Sequence, residues 1–163
     1  MTETDVATIE SSLKECDSHA ARIGRARTLL GSIFPLSDSA LAGLGEDDIE
    51  HLDQLIYRFT RLQDSMGTRL LPVLYAYVEQ NDAPTPFLSI LERLEKLGIL
   101  TSAADWQFFR NLRNNLAHDY PGSLAQSVAT LNTLYLDVPK LVAMYAAVRG
   151  YWQGLRARGQ TGS

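Results

Sequence analysis

Apolar residues in this chain return every three or four positions in one segment after another, and no segment alternates apolar with polar as a strand would. That period belongs to helices that each bury one stripe. The first such segment, residues 4–34, carries Val6, Ile9, Leu13, Cys16, Ala20, Ile23 and Leu30 on one stripe, interrupted by Arg27, weakened by Gly24 and Gly31, and stopped by Pro35. A loop of small residues follows over 35–45. A second helix is expected from Glu46, where Glu46, Asp47, Asp48 and Glu50 put negative charge at the positive end of the helix dipole. Its stripe is Ile49, Leu52, Ile56, Phe59, Leu62, Met66 and Leu70, and Pro72 should kink or divide it before residues 73–78 continue. Arg58, Arg61 and Arg69 lie off the stripe, either as a solvated face or as one turned to phosphate.

Asn81, Asp82, Pro84 and Pro86 mark a loop over 79–86. A short third helix with Phe87, Ile90, Leu91, Leu94 and Leu97 should stop at Gly98. Ser102, with Asp105 three residues on, reads as the cap of a fourth helix reaching about His118, with Phe108, Phe109, Leu112 and Leu116 toward the core. Pro121-Gly122 breaks the chain, and a fifth helix begins near Ser123. Leu124, Val128, Leu131, Tyr135, Val138, Val142, Tyr145 and Val148 keep the period across Pro139. The expected fold is an all-α, up-and-down bundle of about five helices in one domain over 1–150. The Gly/Arg-rich end, 151–163, is expected to fray.

A length of 163 residues suits one core. The net charge of −4 excludes a chain that holds nucleic acid by overall charge, so any RNA contact must come from a local patch. Cys16 is the only cysteine, which excludes an internal disulfide, and its place on the stripe reads as a buried thiol. His19, His51 and His118 fall on different helices with no second ligand at metal spacing, so no metal and no cofactor are expected. His19 reads as a surface or boundary residue and His51 as a surface ion-pair partner. There is neither a Walker-type loop nor a Ser or Cys nucleophile motif. No apolar run is long enough to span a membrane and no signal segment opens the chain, so the expected location is the cytoplasm.

Chemistry concentrates in residues 109–121, which hold two arginines, three asparagines, His118 and Tyr120. Asparagine is a poor helix former, so Asn111, Asn114 and Asn115 weaken the helix that carries them. A merely solvated face is normally built from Glu and Lys. Asn111, Asn114 and His118 share a face by spacing, and Arg113 shares one with Tyr120. The structural alternative is a polar network in which Arg113 and His118 cap and pair within the bundle.

Arg113, four residues, His118, one residue, Tyr120, with polar Asn114 after the arginine, resembles the Arg-x4-6-His-x-Tyr motif of the HEPN superfamily. The likeness is greatest to the HepT-like toxins of toxin–antitoxin pairs, small all-α proteins with the motif on the next-to-last major helix. It covers the chain from about the second helix onward. The resemblance implies a metal-independent endoribonuclease in which Arg113 and His118 are catalytic and Arg110, Asn114 and Tyr120 support or bind RNA. It also implies a composite cleft at a homodimer interface and restraint by an antitoxin, a small nucleotidyltransferase that attaches AMP groups to the matching tyrosine, here Tyr120. Positions five apart lie about 140° apart around a helix, so Arg113 and His118 do not stack on one face. A two-fold dimer with this helix at or beside the interface would bring such groups together. Two other functions remain open: a non-catalytic HEPN-fold module that binds nucleotide or protein beside a nucleotidyltransferase, and a structural helical protein without a site.

Overall fold

A computed structural model describes residues 3–117 and 124–161. Helices α1 (Glu3–Leu29), α2 (Asp38–Ala42), α3 (Glu46–Ser65), α4 (Leu71–Glu79), α5 (Phe87–Lys96), α6 (Ala103–Ala117) and α7 (Leu124–Thr161) follow one another, and no strand occurs among the described residues. Met66–Leu70, between α3 and α4, is a turn of π-helix. The chain is an all-α bundle, and the five expected helices are present once α3, the π turn and α4 are taken as one rod.

The rod is central. α1 packs along α3, α5 lies against α4, and α6 crosses α3 and leads into α7. Pro72 accounts for the π turn. Proline donates no N–H, and its ring collides with the carbonyl four residues back in an α-helix. Widening the preceding turn removes that collision, and the Leu71 N–H reaches back five residues to the Met66 carbonyl. The expected kink at Pro72 is thus an inserted wide turn, across which Leu62, Met66, Leu70, Leu71 and Leu74 all stay buried.

Local chemistry sets the other boundaries. α2 lies in the stretch read as a loop, capped by the Ser37 hydroxyl, which accepts from the Ala40 N–H at 3.2 Å. Leu36 is clamped to α7: its N–H donates to Asn132 Oδ1 at 2.7 Å, and Asn132 Nδ2 donates to its carbonyl at 3.0 Å. Gly98 ends the α5 segment at φ +75°, a conformation that favours glycine. Ser102 Oγ accepts from the Asp105 N–H at 3.0 Å and starts α6 as expected.

Four expectations are corrected. Phe108 is exposed; Trp106 takes the core place beside Phe109 and Leu112, because neighbours in a helix point about 100° apart and cannot both face the core. Ile49 is exposed, and the buried stripe of α3 begins at Leu52. His19 is buried between α1 and α3. The end of the chain does not fray at Gly150, because α7 runs on to Thr161. Trp152 anchors it there: its indole meets the Tyr77 ring edge-on at 5.1 Å and donates to Glu10 Oε1 at 3.0 Å. Trp152→Ala should therefore lower stability by about 3–5 kcal/mol in a urea titration. A loss under about 0.5 kcal/mol would mean that the segment is detached.

Candidate functional site

Helix α6 turns one face toward the end of α3. Trp106, Arg110, Arg113 and Asn114 follow the helical repeat along it, so their side chains line one wall of a cleft of about 370 Å³. The opposite wall comes from Gln63, Asp64, Gly67 and Thr68, which straddle the junction of α3 with the π turn, and Phe87 of α5 completes the lining. The volume lies in the range of small-ligand pockets. Gly67 permits the close approach, since a Cβ there would stand 3.0 Å from Trp106 Cζ2.

Three of the residues expected to form the site, Arg110, Arg113 and Asn114, are brought together here. His118 and Tyr120, the rest of the expected motif, lie outside the described residues, as does the break at Pro121-Gly122. Arg113 Nη1 is paired with Asp64 Oδ1, and both side chains are partly exposed. Arg110 has no partner among the described residues, so two guanidinium groups face one carboxylate and the cleft is cationic. Two of the lining residues carry buried polar atoms without partners among the described residues. Gln63 is 3% exposed, and neither atom of its amide has a hydrogen-bond partner among the described residues; the same holds for Trp106 Nε1. Asn111 and Asn115 do not line the cleft; they are exposed with Phe108 on the outer side of α6.

The α3 half of this site escaped the sequence reading. Its signal was Gln63, a polar residue beside Leu62 at the core edge of the stripe. No spacing rule links it to Trp106 or Arg113, more than forty residues on.

The arginines of α3 and the π turn are held elsewhere. Glu15 of α1 accepts from Ser65 Oγ at 2.9 Å, Arg69 Nη1 at 2.9 Å and Arg61 Nη2 at 3.2 Å. Arg58 Nη1 donates to His19 Nδ1 at 3.0 Å, which requires that nitrogen to be unprotonated. These arginines tie α1 to the rod and do not form a phosphate-facing stripe. A shallower groove between α1 and α3 gathers Arg22, Arg25, His51 and Arg58, and His51 has no carboxylate at ion-pair distance among the described residues. The Cys16 thiol, fully buried, is pushed up to about 12 by burial and is inert at neutral pH. Among the described residues no three His, Cys, Asp or Glu side chains converge as a metal site would require. No helix among them is long and apolar enough to cross a membrane.

The α1–α3 network sets a pH dependence. The Ser65 hydroxyl, more than the opposing burial, holds the Glu15 carboxyl below its ordinary 4.5, with His19 and Arg69 adding to it. Burial pushes His19 below its ordinary 6.5, Glu15 pulling the other way and Arg58 reinforcing the fall. In both cases the unfolded chain takes up its proton at higher pH than the folded one, so stability is complete above pH 6.5 and falls on acidification. His19 acts first, below 6.5, and Glu15 below 4.5. In urea titrations at several pH values, His19→Gln should flatten the first decline and keep the second. An unchanged first decline would remove His19 from the network.

Comparison with protein-family models, with curated proteins and with solved structures finds no match to this chain.

Proposed function

We propose that the chain is a HepT-like endoribonuclease, the toxin of a toxin–antitoxin pair, acting at the α6 cleft. The observation that carries the reading is the meeting of Arg110, Arg113 and Asn114 in one cationic cleft, on the helix whose next residue in sequence is His118. Its other supports are the Arg113-x4-His118-x-Tyr120 pattern in the sequence and the position of α6, which carries Arg113, as the helix before the last in an all-α bundle.

RNA supplies its own nucleophile. The 2′-hydroxyl attacks the adjacent phosphorus, the bond from phosphorus to the 5′-oxygen breaks, and a proton must leave the first oxygen and reach the second. His118, with an ordinary pKa near neutrality, carries that proton. Arg113 stabilises the charge on the non-bridging oxygens through its fork of N–H donors, prealigned by Asp64. Arg110 binds a neighbouring phosphate, and Asn114 holds His118 or an RNA oxygen.

The reading includes a homodimer with two α6 helices side by side. The outer face of α6, with Phe108, Asn111 and Asn115 exposed, supports this: it joins an aromatic ring to amides able to pair across a two-fold axis. It includes control by a nucleotidyltransferase antitoxin that attaches AMP to Tyr120, placing a phosphate where RNA phosphate would bind.

Purified protein incubated with total RNA should cleave it, and cleavage should survive EDTA. His118→Ala should lower the rate about 10²–10⁴-fold. Arg113→Ala should lower it about 10²–10³-fold. Arg113→Lys should fail to restore it, because a point charge lacks the fork. Undiminished cleavage by His118→Ala would end the assignment.

A further inference from the structure

Helix α1 holds no Asp or Glu after Asp17, yet Arg22, Arg25 and Arg27 fall in its last turns. Arg27 is engaged by α7: its Nε donates to the Tyr135 carbonyl at 2.8 Å, and its guanidinium lies over the Tyr135 ring. Arg22 and Arg25 are exposed and have no partner among the described residues. With Ala26 and Leu29 they share one face of α1, and that face meets His51, Gln54 and Arg58, which share a face of α3. The contacts Glu15–Ser65 and His19–Arg58 show that the two helices run antiparallel, so this groove continues the α1–α3 seam where the carboxylates of α1 have ended. Each row extends over two turns, about 10 Å. Among the described residues no Asp or Glu lines the groove. Arg58 is bonded to His19 through a ring nitrogen that accepts without carrying charge, so its own charge is not cancelled. Like charges gathered in one place oppose folding, and Arg22 and Arg25 hold nothing among the described residues in return. We propose that this groove is a phosphate site for adjacent phosphoryl groups, either those of a free diphosphate or consecutive ones along an RNA backbone.

Shape and donor type select phosphate among anions. Arg22 and Arg25 line one wall, His51 and Gln54 the other. A phosphoryl group carries its oxygens in tetrahedral directions and can be held from both walls at once. A carboxylate is planar and is satisfied by a single guanidinium fork. The Gln54 amide adds N–H donors, and the His51 ring offers an N–H in either protonation state. The groove holds about 260 Å³, less than pockets that bury a whole small ligand, so phosphoryl groups enter and the rest of the molecule stays outside. Other arginine-bearing clefts differ: Asp64 lines the α6 cleft, and Glu10 and Asp17 line the groove that holds Arg149 and Arg156. Such a site stands whether or not the chain cuts RNA.

The test is isothermal titration calorimetry of the whole chain with inorganic pyrophosphate at fixed ionic strength. Pyrophosphate should bind, and the double variant Arg22→Gln, Arg25→Gln should weaken it about tenfold or more. The melting temperature of that variant should hold or rise, since like charges are removed. Arg110→Ala, in the α6 cleft, should keep the affinity. Citrate, with three carboxylates and a similar charge, should bind at least about tenfold more weakly than pyrophosphate. A labelled 2′-O-methyl RNA strand, which cannot be cut, identifies the source of the phosphates. If the double variant lowers its affinity and reduces the salt slope by about 1.4, as two lost single-strand contacts require, the groove holds backbone phosphates. If strand binding is unchanged while pyrophosphate binding is lost, a free diphosphate is the ligand; either result supports the site. No binding of millimolar pyrophosphate, an affinity unchanged in the double variant or lost in Arg110→Ala, or citrate bound as tightly, would overturn it. So would a lowered melting temperature of the double variant, which would give these arginines a structural role. Absent cleavage with pyrophosphate binding intact fails the nuclease reading alone, and cleavage without pyrophosphate binding fails the phosphate site alone.

Discussion

One missing backbone hydrogen governs this structure. Pro72 cannot donate into the helix that precedes it, and the chain answers with the π turn at Met66–Leu70. The wide turn rephases the rod, so that leucines before and after it remain in one core. It also brings Gly67 and Thr68 to the surface opposite α6, where the absence of a side chain at Gly67 lets the Trp106 indole approach. A straight helix through this region would carry Gln63, Asp64 and Gly67 in a different relation to α6. π turns often mark functional places, and here Gly67 and Thr68 of the turn form part of one wall of the cleft.

Charge divides the surface along the same rod. Around Glu15, the guanidinium groups of Arg61 and Arg69 are spent on holding α1 to α3 and the π turn, and Arg58 is engaged by His19. Tyr145 and Arg149 of α7 likewise meet Asp17 of α1, at 2.6 and 2.8 Å. What remains at the α6 cleft is Arg113, shared with Asp64, and Arg110, unshared among the described residues. In a chain of net charge −4 a cationic spot therefore arises by placement and not by excess of arginine. Screened, partly exposed pairs such as Arg113–Asp64 add little stability, so Arg113 can exchange a carboxylate for a phosphate at small cost.

Much of the fold was legible because it depends on neighbours in sequence. Gly98, Ser102 and the acidic start at Glu46 act within one turn, and they mark the helix boundaries where expected. The misreadings share another cause. His19 sits between Cys16 and Ile23 at core spacing, yet its polarity argued for the surface; Arg58, thirty-nine residues away, makes its burial tolerable. Phe108 and Phe109 both suit a core, and Trp106, three before Phe109, settles which one enters. Trp152 extends the stripe four residues beyond Val148, a signal outweighed by the glycines and arginines around it. At the site, Arg110, Arg113 and Asn114 are close in sequence and could be read as a cluster. Gln63 and Asp64 could not be joined to them, because that contact depends on how α6 crosses α3.

The proposed ribonuclease function requires RNA to bind at the α6 cleft. The chain has two tryptophans, so its indole N–H region holds two side-chain resonances: Trp106 in the cleft and Trp152 at the contact of α7 with α1 and α4. The most direct measurement is a proton–nitrogen correlation spectrum of labelled protein during addition of an uncleavable RNA strand. The Trp106 indole resonance should shift progressively with added strand while that of Trp152 stays in place. A shift confined to Trp152, or two indole resonances unmoved while the strand binds, would put RNA elsewhere on the molecule and contradict the account.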